Sequence, residues 1–323
     1  MRPKVRPLLV GAATFVPGVR QLLAGAREAL GLGGAVSARY CYSVWLRHVV
    51  LLGKNGLWRY PKTVAELGPG DSLGVGLCAL LSGAESYHAL DVVRFASQRT
   101  NLAVLDELLE LFRVQEPIPD DDEFVEVTPR LPDYAFPTSI FPQAWLANTL
   151  ASARIARIRE SLATFGGACS MIRYQPNWSV CGEVPQLMDL IISQAVLEHV
   201  DDLDETYRAL HGWLAPGGAM SHAIDFRCHN MFSEWNGHWT VPEVVWTLVR
   251  GRRVYLLNRE PCSSHVRLLE KAGFQVVGAV KYEIPSSITR EDLSPRFRSM
   301  DTADLTVGMA TIQSIKLPAT ASP

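Results

Sequence analysis

Two stretches of the sequence carry residue types suited to chemistry. The first, VAELGPGDSLGVG (64–76), packs four glycines and a proline behind a short apolar run. A strand that ends near Glu66 and turns through Gly68-Pro69-Gly70 into a helix aims backbone N–H groups into the crevice at the strand's carboxyl end, where ligands bind. A nicotinamide dinucleotide asks for a third glycine at position 73 to complete GxGxxG, and that position is Leu73. Glu66 suits a cationic or amino-bearing ligand better than a pyrophosphate. The second stretch, MSHAIDFRCHNMFSEWNGHW (220–239), supplies Asp225 and three imidazoles, His222, His229 and His238. Groups of these types remove the proton of a reacting hydroxyl when they lie within hydrogen-bond reach of it. His222 falls mid-strand, where a histidine is more commonly buried and bonded to a neighbour. His222, Cys228, His229 and His238 lack the spacing of zinc ligands, so no metal site is expected.

The elements that must position these residues alternate along the chain. From residue 60 onward, short apolar runs alternate with stretches of helical period, the pattern of a mostly parallel sheet covered by helices. TVAEL (63–67), SYHALDVV (86–93), CSMIRY (169–174), LMDLIIS (187–193) and AMSHAIDF (219–226) are the predicted strands of that sheet. QVVGAVKYEI (275–284) and ADLTVGMATIQSIK (303–316) close it as an antiparallel pair. Helices are predicted over 73–83, 96–112, 143–165, 202–218 and 263–274; Leu102, Leu105, Leu108, Leu109 and Phe112 give the second of them one buried face. Residues 114–142 carry six prolines and an acidic run, and are predicted as an irregular insertion serving as a lid or packed arm. The fold class is therefore α/β, a Rossmann-like, mostly parallel, seven-stranded sheet with helices on both faces. Residues 1–60 read as an N-terminal helical cap, 61–317 as the main domain and 318–323 as a tail.

Composition bounds the rest. The chain has 323 residues, 48% of them apolar, and a formal charge of −2, so it has no summed positive field to attract nucleic acid. Six cysteines without a CxxC pair fit reduced thiols, and a cytoplasmic location, better than a disulfide frame. The first 26 residues mimic a secretory signal, with Ala24-Gly25-Ala26 as a cleavage-like site, but Pro17 and Arg20 interrupt the apolar stretch. No window approaches the length of a membrane span.

AELGPGDS, an Asp closing the second strand, DLIISQAVLEHV and LAPGG resemble, in order and spacing, successive motifs of class I S-adenosylmethionine-dependent methyltransferases. The resemblance implies S-adenosylmethionine as cofactor, with S-adenosylhomocysteine as product. It places Glu66, Gly68, Gly70 and Asp71 against the methionine moiety, and Ser72 where the family's usual third loop glycine stands. Asp91 matches the acid that bonds the ribose hydroxyls; a turn or capping carboxylate is the alternative reading. Ser193, Gln194 and Ala195 match backbone that borders cofactor and substrate, and Glu198 and His199 continue the match. The acidic adenine contact of many relatives is missing, leaving Gln175 or Tyr174 for that task. The stretch YLLNREPCSSHVRLLEKAGFQVV resembles methyltransferases of bacterial polysaccharide and natural-product pathways, which implies a small-molecule acceptor and O-methylation. Phe232, Trp235, Trp239 and Trp246 either shape the acceptor pocket or pack the core, and 38–48 either caps the cofactor or packs. Arg250, Arg252 and Arg253 either receive an anionic acceptor or form a solvated face. From a different class, the same residues allow a sensor or scaffold subunit that binds the cofactor without turnover.

Overall fold

Strand β1 (Thr63–Leu67) is buried at every position after the first, as a strand covered on both faces must be. The computed structural model describes residues 3–15, 37–92, 97–164, 170–176 and 187–318. β1 pairs in parallel with β2 (Ser86–Asp91) on one side and with β4 (Met188–Gln194) on the other, so that Ala65 stands between His88 and Ile191. β3 (Ile172–Pro176) continues the sheet beyond β2, and β5 (Leu214–Asp225) continues it beyond β4. β7 (Val307–Lys316) then runs antiparallel to both β5 and β6 (Phe274–Glu283). The resulting order, β3-β2-β1-β4-β5-β7-β6, reverses direction between β1 and β4. A crevice opens outside the carboxyl ends of strands at such a reversal. The expected seven-stranded, Rossmann-like sheet and its terminal antiparallel pair are both present.

Alternation along the strands divides the core in two. Val64, Tyr87, Ala89 and Ile192 face one side, and Ala65, Leu67, Leu90 and Ile191 face the other. On the first side lie α2 (Ala38–Lys54), α3 (Gly74–Leu81) and α4 (Gln98–Arg113), following α1 (Val5–Ala13) in the chain. Tyr42, Trp45, Val49 and Leu52 form the helical-period stripe read from the sequence, and all four are buried in that core. The stretch 38–48 therefore packs. α1 instead meets α8 (Glu243–Arg250), and residues 16–36, with the cleavage-like Ala24-Gly25-Ala26, lie outside the described residues. Cys169, Cys181 and the tail from 319 do so too. Among the described residues no helix is long and apolar enough to cross a membrane.

Several predicted boundaries move, among them the start of the last strand, which begins at Val307 because residues 302–305 form a short 3-10 turn capped by Asp301. The helix expected over 143–165 divides into α5 (Gln143–Thr149) and α6 (Ser152–Thr164). Asn148, Thr149 and Ser152 are weak helix formers, and Trp145 and Arg154 hydrogen-bond different carbonyls at the end of α3, fixing each helix separately. α7 (Leu203–Trp213) stops earlier than expected, because Pro216 cannot continue a helix and pushes Ala215 to extended geometry; β5 starts at Leu214. β3 lies further along the chain than CSMIRY, which brings Gln175 into the strand.

The insertion forms neither helix nor strand and is a packed arm. The buried Arg47 guanidinium of α2 donates to Pro119 O and Val127 O, both at 2.8 Å, and to Asp121 at 2.7 Å. Ile118, Val127, Phe136 and Phe141 join the core beneath. One glycine is fixed by close approach: a Cβ on Gly76 would lie 1.9 Å from the Tyr87 ring. Gly76→Ala is expected to destabilise the protein by about 3 kcal/mol, the upper end for overpacking, measured as a lower denaturant midpoint.

Candidate functional site

The turn after β1 is held by its neighbours on every side. Gly68 (φ +62°) donates its N–H to Leu90 O at 2.8 Å, and a Cβ there would strike Val196 at 2.7 Å. Gly70 (φ +71°) donates to Asp91 Oδ2 at 3.1 Å, while a Cβ on it would meet nothing within 4 Å. The space over Gly70 is therefore open. Asp91 Oδ1 accepts from Val92 N at 2.7 Å, so this buried carboxylate bridges the ends of β1 and β2. Leu73 N donates to the buried Asn101 Oδ1 of α4, and Ser72 Oγ accepts from Gly74 N, the local bond its small side chain permits. Asp71 is half-buried beside them. Glu66 points into the protein: Tyr87 Oη donates to it at 2.6 Å, and burial pushes its pKa up to about 8.

Near the end of β3 stands Gln175, whose Oε1 is buried and has no hydrogen-bond partner. Tyr174, on the opposite face of that strand, packs in the core. After β4, Ala195 is exposed and takes a left-handed conformation (φ +53°). Gln194 Oε1 lies 3.2 Å from His48 Nε2, and His48 Nδ1 lies 2.7 Å from Ser221 Oγ, which ties α2 to the end of β4 and the middle of β5. Burial lowers the His48 pKa to about 4, so the ring is neutral near pH 7. Ser193 Oγ contacts His222 Nδ1 at 2.7 Å.

The four acceptor-side candidates fare differently. His222 and His238 are each about 1% exposed, and burial lowers both pKa values to about 3. Asp225, at the end of β5, accepts a bidentate pair from Arg227 (2.8 and 2.7 Å) and lies 3.3 Å from His229 Nε2. Burial works to raise its pKa, but His229 and Arg227 outweigh it and hold Asp225 well below the usual carboxylate range. Arg227 also reaches Glu126 of the insertion at 2.6 Å. His229 alone of the four has an open side chain, 40% exposed, on a left-handed backbone (φ +46°).

Neighbouring predicted residues turn inward. Phe232, Trp239 and Trp246 are buried, and Arg250 is paired with Asp201. Asn258 and Arg259, the NR of the late motif, brace two loops. Asn258 Nδ2 donates to Leu197 O and Val200 O at 2.7 and 2.9 Å, and its N–H donates to Glu198 O at 2.8 Å. Arg259 donates to His238 O at 3.2 Å and lies under the Trp246 ring. A cavity of about 10 Å³, room for one water, is bordered by Glu198, Asp225 and His238.

Sequence reasoning passed over Asn101, His48 and Arg227; the first two are polar residues at buried positions of helical stripes, a signal visible in the pattern. Among the described residues, the structure gathers Glu198, His199 and His229, with one donor atom from each lying within 4.8 Å of the others.

No family model and no curated protein matches the chain. Solved structures with a similar chain path include an S-adenosylmethionine-dependent methyltransferase from Clostridium acetobutylicum, at 11% identity, TM-score 0.40, covering 86% of this chain and 92% of that one. Another from Mesorhizobium loti matches at 15% identity and TM-score 0.36 over 78% and 90% of the two chains. The N-methyltransferase NodS from Bradyrhizobium japonicum matches at 12% and 0.36 over 84% and 94%. Likeness at that level says nothing about what this chain binds.

Proposed function

We propose that the chain is an S-adenosylmethionine-dependent methyltransferase that methylates a hydroxyl of a small molecule. The observation that carries this reading is the Gly70–Asp91 bridge across the carboxyl ends of β1 and β2, next to the β1–β4 reversal of the sheet order. Two features fit the cofactor: the open space over Gly70, and the unpartnered Gln175 Oε1, an acceptor suited to the adenine amino group. Asp91 would take the ribose hydroxyls, with Gly68, Gly70, Asp71 and Ser72 along the methionine portion and Ser193, Gln194 and Ala195 bordering its other side. Glu66, turned inward to Tyr87, would shape the turn from beneath.

Bound S-adenosylmethionine supplies a sulfonium methyl group for in-line displacement, in which alignment and exclusion of water dominate the rate. On the acceptor side, Asp225 is committed to Arg227, and His222 and His238 are enclosed. His229 is then the residue through which the acceptor's proton is removed, with Asp225 orienting its ring. His229→Ala is expected to keep S-adenosylhomocysteine affinity within twofold while slowing transfer by 10²-fold or more, the usual scale of proton-transfer assistance. Calorimetric titration with S-adenosylhomocysteine and with NADH tests the cofactor. Micromolar binding of the first and none of the second is expected, and the reverse result removes the reading. Mass-spectrometric screening of hydroxylated metabolites for a gain of one methylene equivalent identifies the acceptor.

A further inference from the structure

We propose that Glu198, His199 and His229 form a binding site for one divalent first-row transition-metal ion. Its role in catalysis, though not its existence, rests on the methyl-transfer reading above. The three residues come from two loops, one after β4 and one after β5, and their donor atoms lie within 4.8 Å of one another. Donors each about 2.1 Å from a shared ion lie about 3.0–3.4 Å apart in tetrahedral or facial octahedral geometry, so side-chain movement of about an ångström completes the site. Glu198 is 3% exposed, and neither of its carboxyl oxygens has a hydrogen-bond partner. A buried carboxylate left in that condition is costly unless a cation or a proton meets it. His199 Nδ1 is likewise buried and unpartnered, and the His199 and His229 ring centroids are 5.3 Å apart.

The surroundings suit an ion. Asn258 fixes the turn bearing Glu198 and His199 through three hydrogen bonds, and Asp225 holds His229 from the β5 side, as outer carboxylates hold metal-bound imidazoles. The donors grade from buried Glu198 through half-buried His199 to exposed His229, leaving entry from solvent. Two imidazoles and one carboxylate select manganese, iron, cobalt, nickel or zinc over magnesium and calcium, and leave coordination positions open. An acceptor hydroxyl bound at such a position would have its pKa lowered and would lose its proton to solvent, with His229 acting through the ion it holds in place of accepting the proton itself. Its oxygen then forms a bond to the methyl carbon as the carbon–sulfur bond breaks, and the electron pair stays on sulfur as S-adenosylhomocysteine.

The test titrates chelator-treated full-length protein with Co²⁺, followed by visible absorption and by equilibrium dialysis. One equivalent bound, with d–d bands that Zn²⁺ abolishes, is expected. Glu198→Gln, His199→Ala and His229→Ala should each weaken binding by 100-fold or more, with S-adenosylhomocysteine affinity retained as evidence of an intact fold. Absence of bands at millimolar Co²⁺ overturns the proposal and leaves Glu198 as a buried neutral acid. Binding unchanged in all three variants overturns it as well, since the ion is then adventitious and elsewhere. Co²⁺ binding without S-adenosylhomocysteine binding sinks the methyl-donor reading and leaves the metal site standing.

Discussion

Asp91→Ala is expected to weaken S-adenosylhomocysteine binding by roughly 10² to 10⁴-fold, because a carboxylate bonded to two ribose hydroxyls loses two charge-assisted hydrogen bonds of about 1.5–3 kcal/mol each. The effect goes beyond those contacts. Asp91 also accepts from Gly70 N and Val92 N, so its removal frees the turn that forms the crevice floor. Asp91→Asn keeps the shape but offers one acceptor oxygen instead of two, and should fall between. Gly70→Val gives a second, sterically distinct route to the same loss. Its φ of +71° is unfavourable to a branched residue by about 1–2 kcal/mol, and its side chain would project into the open space rather than against protein. A folded Gly70→Val protein that still binds S-adenosylhomocysteine as tightly as the parent, together with an unimpaired Asp91→Ala, would remove the crevice from the mechanism.

The glycine turn and Asp91, the proposed cofactor side, can be read from the sequence because their geometry is local. A strand, a glycine turn and a helix follow one another in sequence, and Asp91 closes the next strand, so TVAEL-GPG and SYHALD place both halves without tertiary knowledge. The sheet was legible for the same reason: its strands are apolar runs bounded by turn residues. Boundaries moved where a competing local preference acted, as at Pro216, or where tertiary contacts split a helix, as at Leu150. The acceptor side depends on residues distant in sequence. Asp225 carries the right chemistry for a base, yet its pairing with Arg227 is decided by how the loop turns back, and Glu126 reaches that pair from about a hundred residues earlier. His238 is shut in by Arg259 and its own neighbour Trp239. Glu198-His199 and His229 are brought together only by the parallel pairing of β4 with β5, so a search for closely spaced ligands could not pair them.

Protein stability should peak near pH 6.5 and fall on both sides. Burial lowers His48 and His88 to about 4 and His222, His238 and His265 to about 3, whereas each titrates near 6.5 in the unfolded chain. Below 6.5 the unfolded chain therefore binds five protons that the folded protein refuses until about pH 4, and this contribution to stability is lost as pH falls. Glu66, raised to about 8 by burial, and Glu198, raised well above the carboxylate range, act in the opposite sense. They are protonated when folded and ionised when unfolded above about pH 4.5, so the stability they confer is lost as pH rises. Between pH 4.5 and 6.5 the unfolded chain holds three protons in excess, a slope of at most about 4 kcal/mol per pH unit. From pH 6.5 to 5 this removes up to about 6 kcal/mol, a large share of the about 5–15 kcal/mol that holds a domain folded, so a much lower urea midpoint at pH 5 is expected. From 6.5 to 8 the two carboxyls reverse the slope, to at most about 3 kcal/mol lost per unit. Glu66→Gln separates the limbs, since the amide oxygen still accepts from Tyr87 but cannot ionise. It should flatten the alkaline limb by one proton and steepen the acid limb above pH 4.5 by one, from three excess protons to four. Urea midpoints at pH 5, 6.5 and 8 decide the matter. A midpoint at pH 5 equal to or above that at 6.5 would show that these histidines are not held neutral by burial in the folded chain.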